Sequence, residues 1–308
     1  MDTTTTFIFI IGAPRSGTTW LHKMISEHPE VSTFNGSNTF LQGYIFPLIE
    51  KYKHEKKEFT ERGFTRGLPS KITQKQLNSL IIEYIRIFYQ FIPENKQYYV
   101  EKATDLTSEL NSIKYFIPNS KFIHIVRDGR NAVLSEVKIH KKYEIGIDNI
   151  LLGAKKWVSQ ILDVREYQSK HNQDIIEIKY EDLFQNTNLY LTRIFDFLGV
   201  SNETGLVTKI SEKYNYKRNM VSMPTNNRLS FSDGLFNTYK KEMNYFELTL
   251  FEYLASDILK DFGYEVDNKR ISFISNRLIK YVVIPYFNTK YFLKILAKKI
   301  KIKLSNIS

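Results

Sequence analysis

The sequence predicts an α/β fold: a parallel β-sheet flanked by helices, followed by a basic helical C-terminal extension. Three observations carry this. Four short apolar runs, Thr6–Ile11, Tyr98–Val100, Lys121–Val126 and Asp174–Lys179, read as strands buried on both faces. Helical sequence separates them, as right-handed crossovers between parallel strands require. The first run ends in a loop bounded by Gly12 and Gly17, and helix-forming sequence follows at once.

The expected helices follow in order. Ser16–Glu27 comes directly after the loop. Lys75–Phe91 carries Leu77, Leu80, Ile81, Ile85 and Phe88 on one stripe, and Ile147–His171 aligns Trp157, Ile161 and Val164. Asn188–Leu198 and Tyr245–Phe262 complete the set, the latter stopped by Gly263. Lys51–Lys75 is charged and contains glycines, so it reads as a surface loop or lid. Lys217–Asp233 reads as a second long irregular stretch.

Composition narrows the function. There is no cysteine, so thiolate metal sites, disulfides and a cysteine nucleophile are excluded. The six histidines, at 22, 28, 54, 124, 140 and 171, are scattered, and no metal site is expected. The net charge is +11, but ten uncompensated basic residues lie from Lys269 onward. The preceding chain is nearly neutral, which gives no argument for nucleic-acid binding. The residues before Thr6 lack a basic n-region, and the apolar run after them is too short for a signal or membrane span. A cytoplasmic location is the expectation.

The first loop carries the chemistry. The spacing Gly12-x-x-x-x-Gly17 is that of a P-loop, in which backbone N–H groups and a helix N-terminus cradle phosphate. A nucleotide-triphosphate loop continues with lysine; here Thr18 stands in that place and the cation is Arg15, inside the loop. Ser16, Thr18 and Thr19 add three hydroxyls. The reading is therefore P-loop nucleotide-binding-like, with phosphate bound by Arg15, Ser16, Gly17, Thr18 and Thr19. Arg127 closes the third apolar run and Ser135 follows eight residues on, so both fall at the sheet edge where α/β proteins bind ligands. Arginine offers a forked, permanently charged donor set suited to phosphate.

Gly12-Ala13-Pro14-Arg15-Ser16-Gly17-Thr18-Thr19-Trp20-Leu21 resembles the 5′-phosphosulfate loop of sulfotransferases that use 3′-phosphoadenosine 5′-phosphosulfate (PAPS). His28-Pro29-Glu30-Val31 is similar to the family's continuation. The segment from Phe122 to Ser135 resembles its 3′-phosphate site, and Ile178-Lys179-Tyr180-Glu181-Asp182-Leu183 and Phe195-Asp196-Phe197-Leu198-Gly199 resemble later landmarks. The resemblance spans residues 6–265. It implies PAPS as co-substrate, Arg127 and Ser135 on the 3′-phosphate, and an acceptor hydroxyl or amine on a small molecule or carbohydrate. Lys102, in Glu101-Lys102-Ala103-Thr104, resembles the lysine that approaches the transferring sulfo group.

The chain departs from the family in three places. No acid occurs in 32–40 after the His-Pro landmark, and Thr104 stands where cytosolic members have a catalytic histidine two residues after the lysine. The base is then sought among Asp105, Glu101, Glu136 and His140, with Asp105 preferred for its place after Lys102. The third departure is Ser232-Asp233-Gly234-Leu235-Phe236 in place of the usual segment over the 3′-phosphate, with Arg130 or Arg228 as substitutes.

Residues 1–267 are expected to form the catalytic domain, with 268–308 an amphipathic basic extension. In it Leu293, Leu296, Ile300 and Leu304 follow helical spacing among lysines, suited to an anionic membrane surface or to packing on the domain. Oligomeric state is not legible. Two further readings stay open: a nucleotide kinase or NTPase on the same fold, and a non-catalytic nucleotide-binding module.

Overall fold

The structure is a computed structural model describing residues 5–34, 39–63, 67–93, 96–214 and 237–266, with 280, 281 and 285. The chain divides into two compact units, Met1–Thr238 and Tyr239–Ser308. The irregular stretch Lys217–Asp233, Arg228 and the Ser232–Phe236 segment lie outside the described residues, as does almost all of the 268–308 extension.

The first unit is built on five parallel strands: β1 (Thr6–Ile11), β2 (Val31–Thr33), β3 (Tyr98–Lys102), β4 (Ser120–Val126) and β5 (Ile175–Lys179), in the order β2-β3-β1-β4-β5. The chain therefore winds first to one side of β1 and then to the other. The crevice beyond the β1 C-terminus is the point where strand order reverses, where α/β sheets bind ligands.

Each strand alternates between two cores. Phe7, Phe9, Ile11, Tyr99, Phe122 and Ile175 face one way, and meet α2 (Phe46–Arg62), α3 (Gln74–Phe88), α4 (Leu110–Phe116) and α6 (Ile150–Lys170). Ile8, Ile10, Val100, Ile123, Ile125 and Ile178 face the other way, and meet α1 (Thr18–Ser26), α7 (Tyr180–Gln185), α8 (Thr187–Leu198) and α9 (Thr204–Lys213). Both faces are covered, which is why the strand runs are almost continuously apolar. The remaining crossover helix, α5 (Gly129–Tyr143), follows β4 directly.

All four expected strands form, and β3 extends two residues further than the apolar run, so Lys102 ends the strand. β2 is the strand the sequence reading missed: three residues give too short a pattern. The Lys51–Lys75 lid is corrected. Its first half is the body of α2, because Phe46, Ile49 and Tyr52 present one buried stripe while the Glu and Lys residues face solvent. Beyond Gly63, which ends α2, the described residues 67–73 form a short 3₁₀ turn, Leu68–Ser70, and the Thr73 capping box that opens α3. The first helix begins at Thr18, two residues later than expected, because Gly17 holds a left-handed φ of 95° and keeps Ser16 in the loop.

In the second unit, a helix Tyr239–Glu242 precedes the helix Tyr245–Asp261, which opens on a reciprocal capping box of Asn244 and Glu247. No helix among the described residues is long and apolar enough to cross a membrane.

Candidate active site

The register of the sheet assembles the site. Ile10 of β1 pairs with Lys102 of β3, and Ile11 pairs with His124 of β4. The loop that leaves β1 at Gly12 thus runs between the ends of β3 and β4. It turns into α1 through Gly17, where a Cβ would fall 2.5 Å from the Tyr180 ring. That close approach, with the positive φ, restricts the position to glycine. The N-cap of α1 makes no side-chain hydrogen bond, so its first N–H groups point out of the helix without a side-chain acceptor. The Ser16 hydroxyl is buried beside them with no hydrogen-bond partner. A buried donor of this kind fits an anion held in the loop.

Arg15 adopts a φ of 69°, a conformation that costs a non-glycine residue about 1–3 kcal/mol. Two distant residues hold it there. Arg127 donates from Nη1 to the Arg15 carbonyl at 3.0 Å, and Arg15 donates from Nε to the Ser135 hydroxyl at 3.1 Å. The Arg127 guanidinium also lies 4.8 Å from the centre of the Tyr180 ring, and its Nε is buried without a partner. The structure therefore brings Arg15, Ser16, Arg127 and Ser135 into one contiguous group, with Arg127 tying the loop after β1 to the entrance of α5.

Lys102 reaches the same group from β3. Its Nζ lies 3.4 Å from the Thr19 hydroxyl, and burial, reinforced by the charge of Arg15, lowers its pKa. Behind it, His22 is paired with the Thr33 hydroxyl at 2.8 Å. Burial holds His22 down to about 4, with Lys102 and Lys23 adding to the effect, so it is neutral at physiological pH.

The four candidate bases separate. Glu101 points into the core, where it accepts from the Tyr89 hydroxyl at 2.8 Å, and is 3% exposed. His140 lies in the C-terminal half of α5. Asp105 is ion-paired with Lys156 of α6 at 2.9 Å, and the same ammonium lies 3.7 Å from Glu136. Lys156 was not singled out from the sequence, since a lysine on a long helix carries no local signal. Arg130, considered as a substitute over the 3′-phosphate, is instead spent on Asp128. It donates from Nε at 3.1 Å and from Nη2 at 2.8 Å, with only 1% exposure. Asp128 also caps α5 by accepting from the Arg130 N–H at 2.9 Å. Glu181 and Asp182 take structural partners, the Asp128 N–H and the Tyr190 hydroxyl. Beside α1 lies a cavity of about 520 Å³ lined by residues including Trp20, Phe184, Asn186, Thr208 and Ser211. Among the described residues no cluster of His, Asp and Glu has the makings of a metal site.

Comparison with known proteins gives the family and the fold. The C. elegans protein-tyrosine sulfotransferase A is 29% identical over 202 residues, covering 64% of this chain and 50% of that protein. The human protein-tyrosine sulfotransferase 1 is 30% identical over 133 residues, covering 42% of this chain and 33% of that protein. The matches thus span half or less of the length of these relatives. The fold is that of the mouse sulfotransferase SULT7A1, whose crystal structure is a complex with PAP. The TM-score is 0.56 at 15% identity, over 83% of this chain and 84% of that one. The profile of the sulfotransferase family matches residues 8–204, which include the Arg15 loop, Lys102, Arg127 and Ser135, and the chain belongs to that family.

Proposed function

We propose that this protein transfers the sulfo group of PAPS to the phenolic hydroxyl of a tyrosine in a peptide or protein. The observation that carries the reading is the convergence of Arg15, Lys102 and the unpartnered Ser16 hydroxyl at the N-terminus of α1, between the ends of β3 and β4. Sulfo transfer needs little covalent participation by the protein. It needs in-line placement and cations where charge develops on the leaving phosphate oxygen. Arg15 and Lys102 supply those cations without a metal. Arg127, bridging the Arg15 loop to the α5 entrance, suits the second phosphate of the nucleotide, and the cavity beside Trp20 offers room for its base. The tyrosine acceptor rests on the names of the matched relatives. It replaces the small-molecule or carbohydrate acceptor expected from the sequence motifs.

The test is transfer of label from ³⁵S-PAPS to a tyrosine peptide, against a sugar hydroxyl and an aliphatic amine. Transfer to the peptide is expected, unaffected by EDTA. Arg15→Ala and Lys102→Ala are expected to lower kcat by about 10²–10³-fold each, the scale of removing one donor aimed at the transition state. Transfer to the sugar alone would refute the tyrosine acceptor. Mg²⁺-dependent phosphoryl transfer from ATP would refute the reaction and favour a kinase.

A further inference from the structure

The group formed by Glu136, Lys156 and Asp105 has no part in binding the nucleotide as described above, and it is built with care. α5 and α6 touch where Gly153 meets Val133: a Cβ at Gly153 would come 2.2 Å from Val133 Cγ1. One turn further along each helix, Lys156 faces Glu136. On the other side the same ammonium meets Asp105, and Gln160, a turn beyond Lys156, donates to Asp105 at 3.5 Å and to the Thr104 carbonyl at 3.4 Å. Two carboxylates therefore share one ammonium.

The chain links the group to the Arg15–Lys102 region at two points, and Glu136 feels the charge of Arg15. Glu136 directly follows Ser135, the hydroxyl that holds Arg15. Asp105 comes three residues after Lys102, in the turn leaving β3. The two acids are not equivalent. The Asp105 side chain is 34% exposed and takes the shorter contact to Lys156, whereas the Glu136 side chain is 10% exposed and takes the longer one. Asp105 is thus the better neutralised and better hydrated of the two.

We propose that Glu136 is the general base that accepts the acceptor's hydroxyl proton, with Lys156 and Asp105 as positioning residues. The assignment rests on the sulfo-transfer reading above. In the step, the acceptor O–H bond breaks and its proton passes to a Glu136 carboxylate oxygen. The freed oxygen pair forms the new O–S bond. The bond from sulfur to the 5′-phosphate oxygen breaks, and its electron pair stays on that oxygen beside Arg15 and Lys102. Burial raises the Glu136 pKa above the ordinary carboxylate range. Lys156 opposes that shift, Asp105 reinforces it, and Arg15 opposes it weakly; on its own helix His140 lies one turn away. A carboxylate poised closer to neutrality is better matched to a proton-transfer step.

The experiment compares wild type, Glu136→Gln, Asp105→Asn and Lys156→Met with two acceptors, a tyrosine peptide and 4-nitrophenol. Tyrosine needs a base, whereas 4-nitrophenol is already about half ionised near neutral pH. Glu136→Gln is expected to lower kcat on the peptide about 10²–10³-fold, while 4-nitrophenol loses less than about 10-fold. The acid limb of kcat/KM is expected to move to higher pH in Lys156→Met, which loses the opposing cation, and to lower pH in Asp105→Asn. A readout independent of turnover is the melting temperature. The folded chain keeps the Glu136 proton longer than the unfolded chain, so ionisation costs stability that glutamine does not lose. Glu136→Gln is therefore expected to melt above wild type at pH 7, with the gap closing as pH falls through the ordinary carboxylate range. Equal losses on both phenols, an unmoved acid limb, or a wild type active on both phenols with Glu136→Gln unaffected would overturn the assignment alone. A wild type stabilised by PAP but inactive on both phenols would overturn the phenolic acceptor and the assignment with it.

Discussion

The loop after β1 and the cluster around Asp105 lie along one edge of the same sheet, yet they are made differently. The loop is held by backbone: glycines at positive φ, an uncapped helix N-terminus, and an arginine whose carbonyl is itself a ligand for Arg127. Its turns are set by glycines close together in sequence, and two distant side chains, Arg127 and Ser135, fix Arg15 within it. The cluster is held by side chains from three segments, the turn after β3, α5 and α6, and nothing local forces Lys156 to meet Asp105 and Glu136. The difference matches the roles proposed for each. A phosphate can be gripped by generic donors, whereas proton removal from a particular acceptor needs particular side chains at particular distances.

The sharpest way to break the comparison is to damage the backbone loop without touching a charge. In Gly17→Ala the new methyl meets the Tyr180 ring and the residue is forced into a left-handed conformation. Strain and overpacking together are expected to cost about 4 kcal/mol of folding stability. Denaturant unfolding should show this loss, and calorimetry should show PAP binding abolished. A variant with near wild-type stability and PAP affinity would mean that the Arg127 and Ser135 contacts hold the loop without the glycine turn.

A smaller effect is expected on the flank between the two regions. His22 is buried and held to about 4, so the unfolded chain takes up its proton before the folded chain does. Stability is then lost as pH falls from about 6.5 to about 4, by at most about 3 kcal/mol, and no further below that range. Histidine titration followed by NMR, with unfolding measured at several pH values, checks this. His22→Gln is expected to flatten that part of the profile. An ordinary histidine titration near 6.5 would show that the layer behind Lys102 is open to water.

The same contrast explains what the sequence made legible. All four apolar runs became parallel strands, since burial on both faces leaves a continuous pattern in the chain. The phosphate loop was legible because its Gly spacing and Arg15 are contiguous. β2 was not, because its three residues are recognisable only by their pairing with β3. α2 was misread as a lid because its charged face outnumbers the stripe of Phe46, Ile49 and Tyr52. In the site, Arg127 and Ser135 were placed at the sheet edge from position alone. Their contacts with Arg15 span more than a hundred residues and had no local signature. Arg130 looked like a free cation until its bidentate pairing with Asp128 came into view.

The claim on which the rest depends is that two separate phosphate sites flank the β1 loop. Thermal unfolding of the full chain with equal concentrations of PAP, AMP and ATP measures it directly, because a ligand raises the melting temperature according to its affinity for the folded state. PAP is expected to raise it clearly more than AMP or ATP, and Arg127→Ala is expected to reduce the difference between PAP and AMP. Equal shifts from PAP and AMP in the wild-type protein would contradict the two-site arrangement.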